Sequence, residues 1–224
     1  MRMSQINIAI VDDQNLFRQS LALLINSIEN FSLVAECSGG QVFINALNKF
    51  NMAVDVAIID MDMPGMNGIE LNKYLQANYP KIKVIVLTVH ASETLITQMI
   101  GCGASGYLAK NCDRDELLLA VNTVHKTGFY FNAEVIKALR TTAGHRLPVQ
   151  DNLNGLRVSL SKRERQILTL ICQEFNNAEI ATELNVSIRT VEGHKKSLID
   201  KANCRNIAGL VLFALKYRLF ESPL

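Results

Sequence analysis

Through the first half of the chain, short runs of β-branched apolar residues alternate with stretches whose apolar positions recur every three or four residues. Residues 6–11, 31–37, 56–59, 84–88 and 104–109 carry the first pattern and predict five strands, since a strand buried on both faces shows no polar alternation. Residues 15–27, 41–48, 68–79, 92–102 and 113–127 carry the second and predict the intervening helices. Strands and helices in this alternation predict a doubly wound, five-stranded parallel sheet covered on both sides. Reacting groups in such a sheet collect beyond the carboxyl ends of the strands.

After Gly128 the pattern breaks. Residues 128–156 hold one possible short helix, 132–140, followed by Gly144, Pro148 and Gly155, and read as a linker. Beyond it four helices are predicted, at 161–174, 178–184, 188–202 and 205–217. Ser161 and Glu164 are spaced as a capping box that opens the first. The division is thus a domain over 5–127, a linker over 128–156 and an all-α, four-helix domain over 157–220. At 224 residues the chain is long enough for two modest cores.

Composition adds little except through charge. Half the residues are apolar (49%) and a fifth charged (20%), the balance of a chain able to bury a core. Residues 1–127 hold nine Lys or Arg against twelve Asp or Glu, whereas 157–224 hold eleven against seven, so a nucleic-acid partner would meet the C-terminal part. The five cysteines, Cys37, Cys102, Cys112, Cys172 and Cys204, are odd in number and never paired as C-x-x-C, which argues against a disulfide framework or a zinc site. No apolar run approaches the roughly 18 residues of a membrane span, and Met1–Ser4 leads directly into the first strand, so a cytoplasmic location with no membrane partner is expected.

Asp12 and Asp13 follow the first predicted strand, Asp60 and Thr88 end the third and fourth, and Lys110 closes the fifth, so all five meet at one edge. Clustered carboxylates repel one another unless a hard cation sits among them, and an oxygen-only set suits Mg²⁺. A carboxylate beside Mg²⁺ can attack a phosphoryl group while an ammonium and a hydroxyl stabilise the transferred oxygens. Single aspartates at strand ends usually cap helices; five chemically matched residues in register do not fit that reading. Gly101-Cys-Gly-Ala-Ser-Gly106 matches G-x-G-x-x-G, but it runs from helix into strand, the reverse of a dinucleotide site.

These residues carry a resemblance. Asp12-Asp13, the segment Asp60-Met-Asp-Met-Pro-Gly-Met-Asn-Gly68, Leu87-Thr88 and Gly106-Tyr-Leu-Ala-Lys110 resemble the receiver domain of two-component response regulators over roughly residues 5–127. The resemblance implies a flavodoxin-like fold in which Asp60 accepts a phosphoryl group from a partner sensor histidine kinase. It also implies Mg²⁺ arranged by Asp12, Asp13, Asp60 and the backbone carbonyl of Asp62, with Lys110, Thr88 and Tyr107 as the phosphoryl-stabilising and switch residues. Asp60-Met-Asp62 also resembles the D-x-D of haloacid-dehalogenase-type phosphatases, but that reading leaves Asp12 and Asp13 without a role and meets Pro64 where a Thr or Val is usual.

In the second domain, Leu160-Ser-Lys-Arg-Glu164, Ala178-Glu-Ile-Ala181, Ser187-Ile-Arg-Thr-Val191, His194 and Lys201 resemble the LuxR-type helix-turn-helix of the NarL and FixJ class. The resemblance implies a regulator of transcription and not an enzyme. Glu192, Gly193 and Lys196 would face the bases of double-stranded DNA, with Arg189, Lys195 and Lys201 nearer phosphates. Glu192 replaces a frequent Lys, Glu174 a frequent Gly, and Asn203-Cys204 departs from the usual Leu-Gly or Gly-Val. Leu210, Val211, Ala214 and Leu215 form an apolar stripe suited to core or to a dimer face, and a homodimer when phosphorylated is expected.

Overall fold

The computed structural model describes residues 5–89, 92–144, 160–217 and 219–220; Pro148 and Gly155 of the expected linker, and residues 157–159 of the expected second domain, lie outside them. The first half folds as β1 (Ile6–Val11), α1 (Asn15–Asn26), β2 (Phe31–Cys37), α2 (Gly40–Phe50), β3 (Val56–Asp60), α3 (Gly68–Asn78), β4 (Lys83–Thr88), α4 (Glu93–Gly101), β5 (Gly106–Ala109) and α5 (Arg114–Thr127). The strands pair in the order β2-β1-β3-β4-β5, every neighbouring pair parallel. Order reverses between β1 and β3, and such a switch point opens a crevice at the strands' carboxyl ends.

Alternation along each strand feeds two cores. Ile8 and Ile10 of β1, Val56 and Ile58 of β3, and Leu108 of β5 point to the side covered by α1 and α5. Ala9 and Val11, Ala57 and Ile59, and Tyr107 point to the other side, under α2, α3 and α4. This second core does not end with the sheet. Through Phe129, Phe131, Val135, Ala138 and Leu139 it continues to Leu160, Ile167, Leu198 and Leu210.

The remaining helices are α6 (Ala133–Gly144), α7 (Lys162–Cys172), α8 (Asn177–Glu183), α9 (Ile188–Lys201) and α10 (Ile207–Lys216). The expected linker helix is longer than its sequence span, and it packs on α4 while α10 packs on both. Burying an aliphatic side chain such as Val135 or Leu139 fully contributes about 1.5–3 kcal/mol, enough to dock a helix that has little to offer alone. Two sequence boundaries need correction. The helix expected to reach 174 ends at Cys172, with Glu174 left-handed at φ +64°. The last helix, expected from 205, begins at Ile207 because the Asn206 side chain accepts from Gly209 N (3.0 Å) and caps it.

Candidate phosphoryl site and DNA-facing helix

At the switch point Asp12 and Asp60 stand side by side, each 2% exposed. Lys110 reaches in from the end of β5, its Nζ 2.9 Å from Asp12 Oδ2 and 2.8 Å from Asp60 Oδ2. Asp12, Asp13 and Asp60 each offer an oxygen within 4.8 Å of the others. Asp13 Oδ1 is shielded from solvent and has no hydrogen-bond partner among the described residues. Unsatisfied, clustered carboxylate oxygen is costly unless a cation meets it, so the residues fit a hard divalent ion of the Mg²⁺ type.

Burial pushes Asp60 above the usual carboxylate range, and Asp12 adds to this against the pull of Lys110. Burial alone would push Lys110 down, but its hydrogen bonds to Asp60 and Asp12 carry it above the ordinary lysine range. Charge in this pocket is therefore mutually held, and the pairing requires both partners.

Backbone geometry fixes these side chains. Gln14 N donates to Asp12 Oδ1 (2.8 Å), Arg18 Nη1 to Asp12 O (2.6 Å), and Asp62 N to Asp60 Oδ1 (3.3 Å). After Asp60 the chain turns through Gly65, φ +77°, and returns so that Gly68 N donates to Met61 O (2.9 Å). A Cβ on Gly68 would lie 2.6 Å from Asp60 O and 2.8 Å from Met61 Cα. No side chain fits there without moving the Asp60 backbone. Sequence reading placed Gly68 only as the end of a motif; its close approach to Asp60 had no separate signal.

Thr88 is fully buried beside the pocket, and Tyr107, 1% exposed, hydrogen-bonds to it. Burial, with Glu134 of α6 nearby, pushes the Tyr107 phenol up to about 12. The expected pair of switch residues is thus adjacent, on the sheet face that α4 covers, with α6 packed on α4. Asp62 is exposed and its side chain stands outside the cluster.

In the helical half, Asn176 and Glu179 form a capping box at α8, Asn185 turns left-handed at φ +52°, and Ser187 caps α9 by accepting from Thr190 N (3.1 Å). Val191 and Leu198 of α9 face the core while Arg189, Glu192, Gly193 and Lys196 face solvent. A Cβ on Gly193 would meet nothing within 4 Å, so this face is open. Two of the residues expected near phosphates also make contacts within the helical half. Lys195 is 9% exposed, its Nζ donating to Asn177 Oδ1 (2.7 Å), and burial pushes it down to about 8. Lys201 is held by Glu164, at 2.8 and 2.9 Å from its two oxygens. Charge counting along α9 does not separate the solvent-facing Lys196 and Lys201 from the buried Lys195.

The two halves meet through polar contacts as well as the shared core. Asn206 Nδ2 donates to Gly103 O (2.6 Å), Arg205 Nη1 to Cys102 O (3.1 Å), and Lys126 pairs with Glu179 (2.8 Å). No helix among the described residues is long and apolar enough to cross a membrane.

Comparison with known proteins agrees with this geometry. Residues 8–122 match the response regulator receiver domain, and residues 158–214 match the bacterial regulatory proteins of the luxR family. The oxygen regulatory protein NreC of Staphylococcus haemolyticus is 32% identical, over 96% of this chain and 99% of its own. The transcriptional regulatory protein DegU of Brevibacillus brevis is 30% identical, over 95% and 94% respectively. Among solved structures, the RcsB response regulator of Salmonella typhimurium is similar at TM-score 0.57 and 27% identity, covering 93% of this chain and 97% of that one. An RcsB–DNA complex is similar at TM-score 0.57 and 25% identity, covering 95% and 99%. The chain belongs to the two-component response regulators that join a receiver domain to a LuxR-type helix-turn-helix, and is a phosphorylation-controlled, DNA-binding regulator of transcription and not an enzyme.

Proposed function

We propose that this cytoplasmic protein takes a phosphoryl group on Asp60, that the donor is the phosphohistidine of a partner sensor kinase, and that the modification governs pairing of two chains on double-stranded DNA. The supporting observation is a buried carboxylate, Asp60, paired with Lys110 and lying within 4.8 Å of two further carboxylates at the sheet's switch point. Asp12, Asp13, Asp60 and the backbone carbonyl of Asp62 would hold Mg²⁺. When bound, that ion supplies positive charge to the phosphoryl oxygens. An Asp60 oxygen forms the new bond to phosphorus as the bond to the donor's imidazole nitrogen breaks, and the imidazole recovers a proton. Lys110 then exchanges a carboxylate contact for a phosphoryl oxygen. Thr88, now bonded to Tyr107, is placed to turn toward the same group, which would loosen Tyr107 under α4 and α6.

The reading helix in this proposal is α9, with Glu192, Gly193 and Lys196 toward base edges and Arg189 toward a phosphate. Lys201, half-exposed beside Glu164, stays within reach of a phosphate, and Lys195 fixes α9 against α8. The apolar face of α10, Leu210, Val211 and Ala214, is buried where α10 meets α4, α6 and α7. The functional units are a receiver over 5–127 and a DNA-binding domain over 157–220, joined by 128–156.

Intact mass after incubation with Mg²⁺ and acetyl phosphate tests the acceptor. One labile phosphoryl group on the wild type, absent from Asp60→Asn, is expected, together with tighter operator binding and earlier elution of the labelled form. Label persisting on Asp60→Asn would overturn the assignment.

A further inference from the structure

Lys110 has a third neighbour outside every motif above. Its Nζ lies 4.8 Å from the ring centroid of Phe17, in the first turn of α1. Phe17 also lines a groove of about 200 Å³ between α1 and α5, with Leu21, Leu24, Leu87 and Leu117. We propose that Phe17 is a positioning residue for the phosphoryl site, its ring holding the Lys110 ammonium between the carboxylates and whatever replaces them during the reaction.

Two directions from the ammonium end on Asp12 and Asp60, and the ring occupies a third; the Lys110 side chain is 7% exposed. Both carboxylates are needed elsewhere, Asp12 for a cation and Asp60 for the phosphoryl group. The ring takes no charge, binds no metal and is anchored by α1, so it is the partner that stays constant. An ammonium over an aromatic face is attracted by the ring quadrupole, more strongly when water is excluded. A leucine, apolar but smaller and without a π face, would remove this attraction and let water reach Nζ.

The proposal rests on the reading of Asp60 as phosphoryl acceptor, and the test separates the two. A double-mutant cycle of Phe17→Leu and Lys110→Met is read on Mg²⁺ affinity by calorimetry and on the rate constant for labelling of Asp60 by acetyl phosphate. With Lys110 present, Phe17→Leu is expected to slow labelling about three- to tenfold and to tighten Mg²⁺ binding, because a hydrated ammonium neutralises the carboxylates less well. In the Lys110→Met background both effects should fall below about 1.5-fold, and Phe17→Tyr should restore wild-type values. Before any Mg²⁺ is added, the Lys110 side-chain methylene protons should show an upfield ring shift that Phe17→Leu removes and Phe17→Tyr keeps. Equal effects of Phe17→Leu with and without Lys110 would overturn the proposal, as would a leucine variant identical to wild type. A wild type that takes no label would count against the acceptor reading alone, since the Mg²⁺ cycle and the ring shift decide on Phe17 without it.

Discussion

Glu164 organises the DNA-binding half from one buried carboxylate, 3% exposed. It accepts from Ser161 N (2.8 Å), closing the capping box of α7, from Ser197 Oγ of α9 (2.9 Å), and from Lys201 Nζ of α9. Burial would raise this carboxyl, but Lys201, the Ser161 amide and Ser197 outweigh it and bring it down to about 2, against an ordinary 4.5. Taken whole, that displacement would be worth about 3 kcal/mol; because Lys201 is 42% exposed and solvent screens it, roughly 1–2 kcal/mol is expected. A carboxyl depressed on folding stabilises above its unfolded pKa, so this contribution is complete at neutral pH and fades as pH falls from about 5 toward 2. Glu164→Gln keeps one carbonyl oxygen for Ser161 N, while its amide can only donate to Ser197 Oγ, and should cost about 1–2 kcal/mol; Glu164→Ala also loses the cap and should cost about 2–4 kcal/mol. Urea unfolding followed by amide signals of α7 and α9 reads this half by itself. The gap between wild type and glutamine variant should narrow clearly by pH 3 and close near pH 2. A glutamine variant as weak as the alanine one, or a gap unchanged at pH 3, would refute the assignment of the energy to the charge.

Two other substitutions test local geometry. Gly68→Ala places a Cβ 2.6 Å from Asp60 O, and is expected to weaken Mg²⁺ binding at least tenfold by calorimetry, with a loss of stability of about 2 kcal/mol or more from the forced backbone shift. Glu174→Gly relieves a left-handed residue at φ +64°, and a gain of about 1 kcal/mol is expected in thermal unfolding of the helical half, with DNA affinity unchanged.

The sheet and its acidic edge were legible because their signals are local. A strand's apolar run and the Asp that ends it are adjacent in sequence, and parallel pairing brings every strand's carboxyl end to the same side. Asp12, Asp60, Thr88 and Lys110 therefore meet without any further information. What could not be read is where side chains of one helix land on another. Lys195 and Lys196 are neighbours in sequence and equal in charge, yet a rotation of 100° along α9 sends one to Asn177 and the other to solvent. Phe17 met no motif because its partner is 93 residues away. The docking of α10 is equally hidden, although Asn206 immediately before the apolar Ile207 is a helix-start signal that moves its boundary.

The placement of α6 decides how far a change at the phosphoryl pocket can travel. A surface switch at β4 and β5 would dissipate in solvent if the sheet's second face ended at α4. Here Tyr107, Val135, Leu139 and Leu210 belong to one continuous core, so a shift of Tyr107 has no room to be absorbed locally in an interior packed as densely as a crystal. Polar contacts at the seam among the described residues include Asn206 to Gly103, Arg205 to Cys102 and Lys126 to Glu179, which lie at helix ends, where they can break without unfolding either half. The exposed reading face of α9 lies outside this seam while the apolar face of α10 lies within it. On the proposed reading, control therefore acts through which surface α10 packs against and not through uncovering α9. Reciprocity of coupled equilibria then requires that whatever draws α10 away from α4 and α6 also favours the phosphorylated pocket by the same free energy.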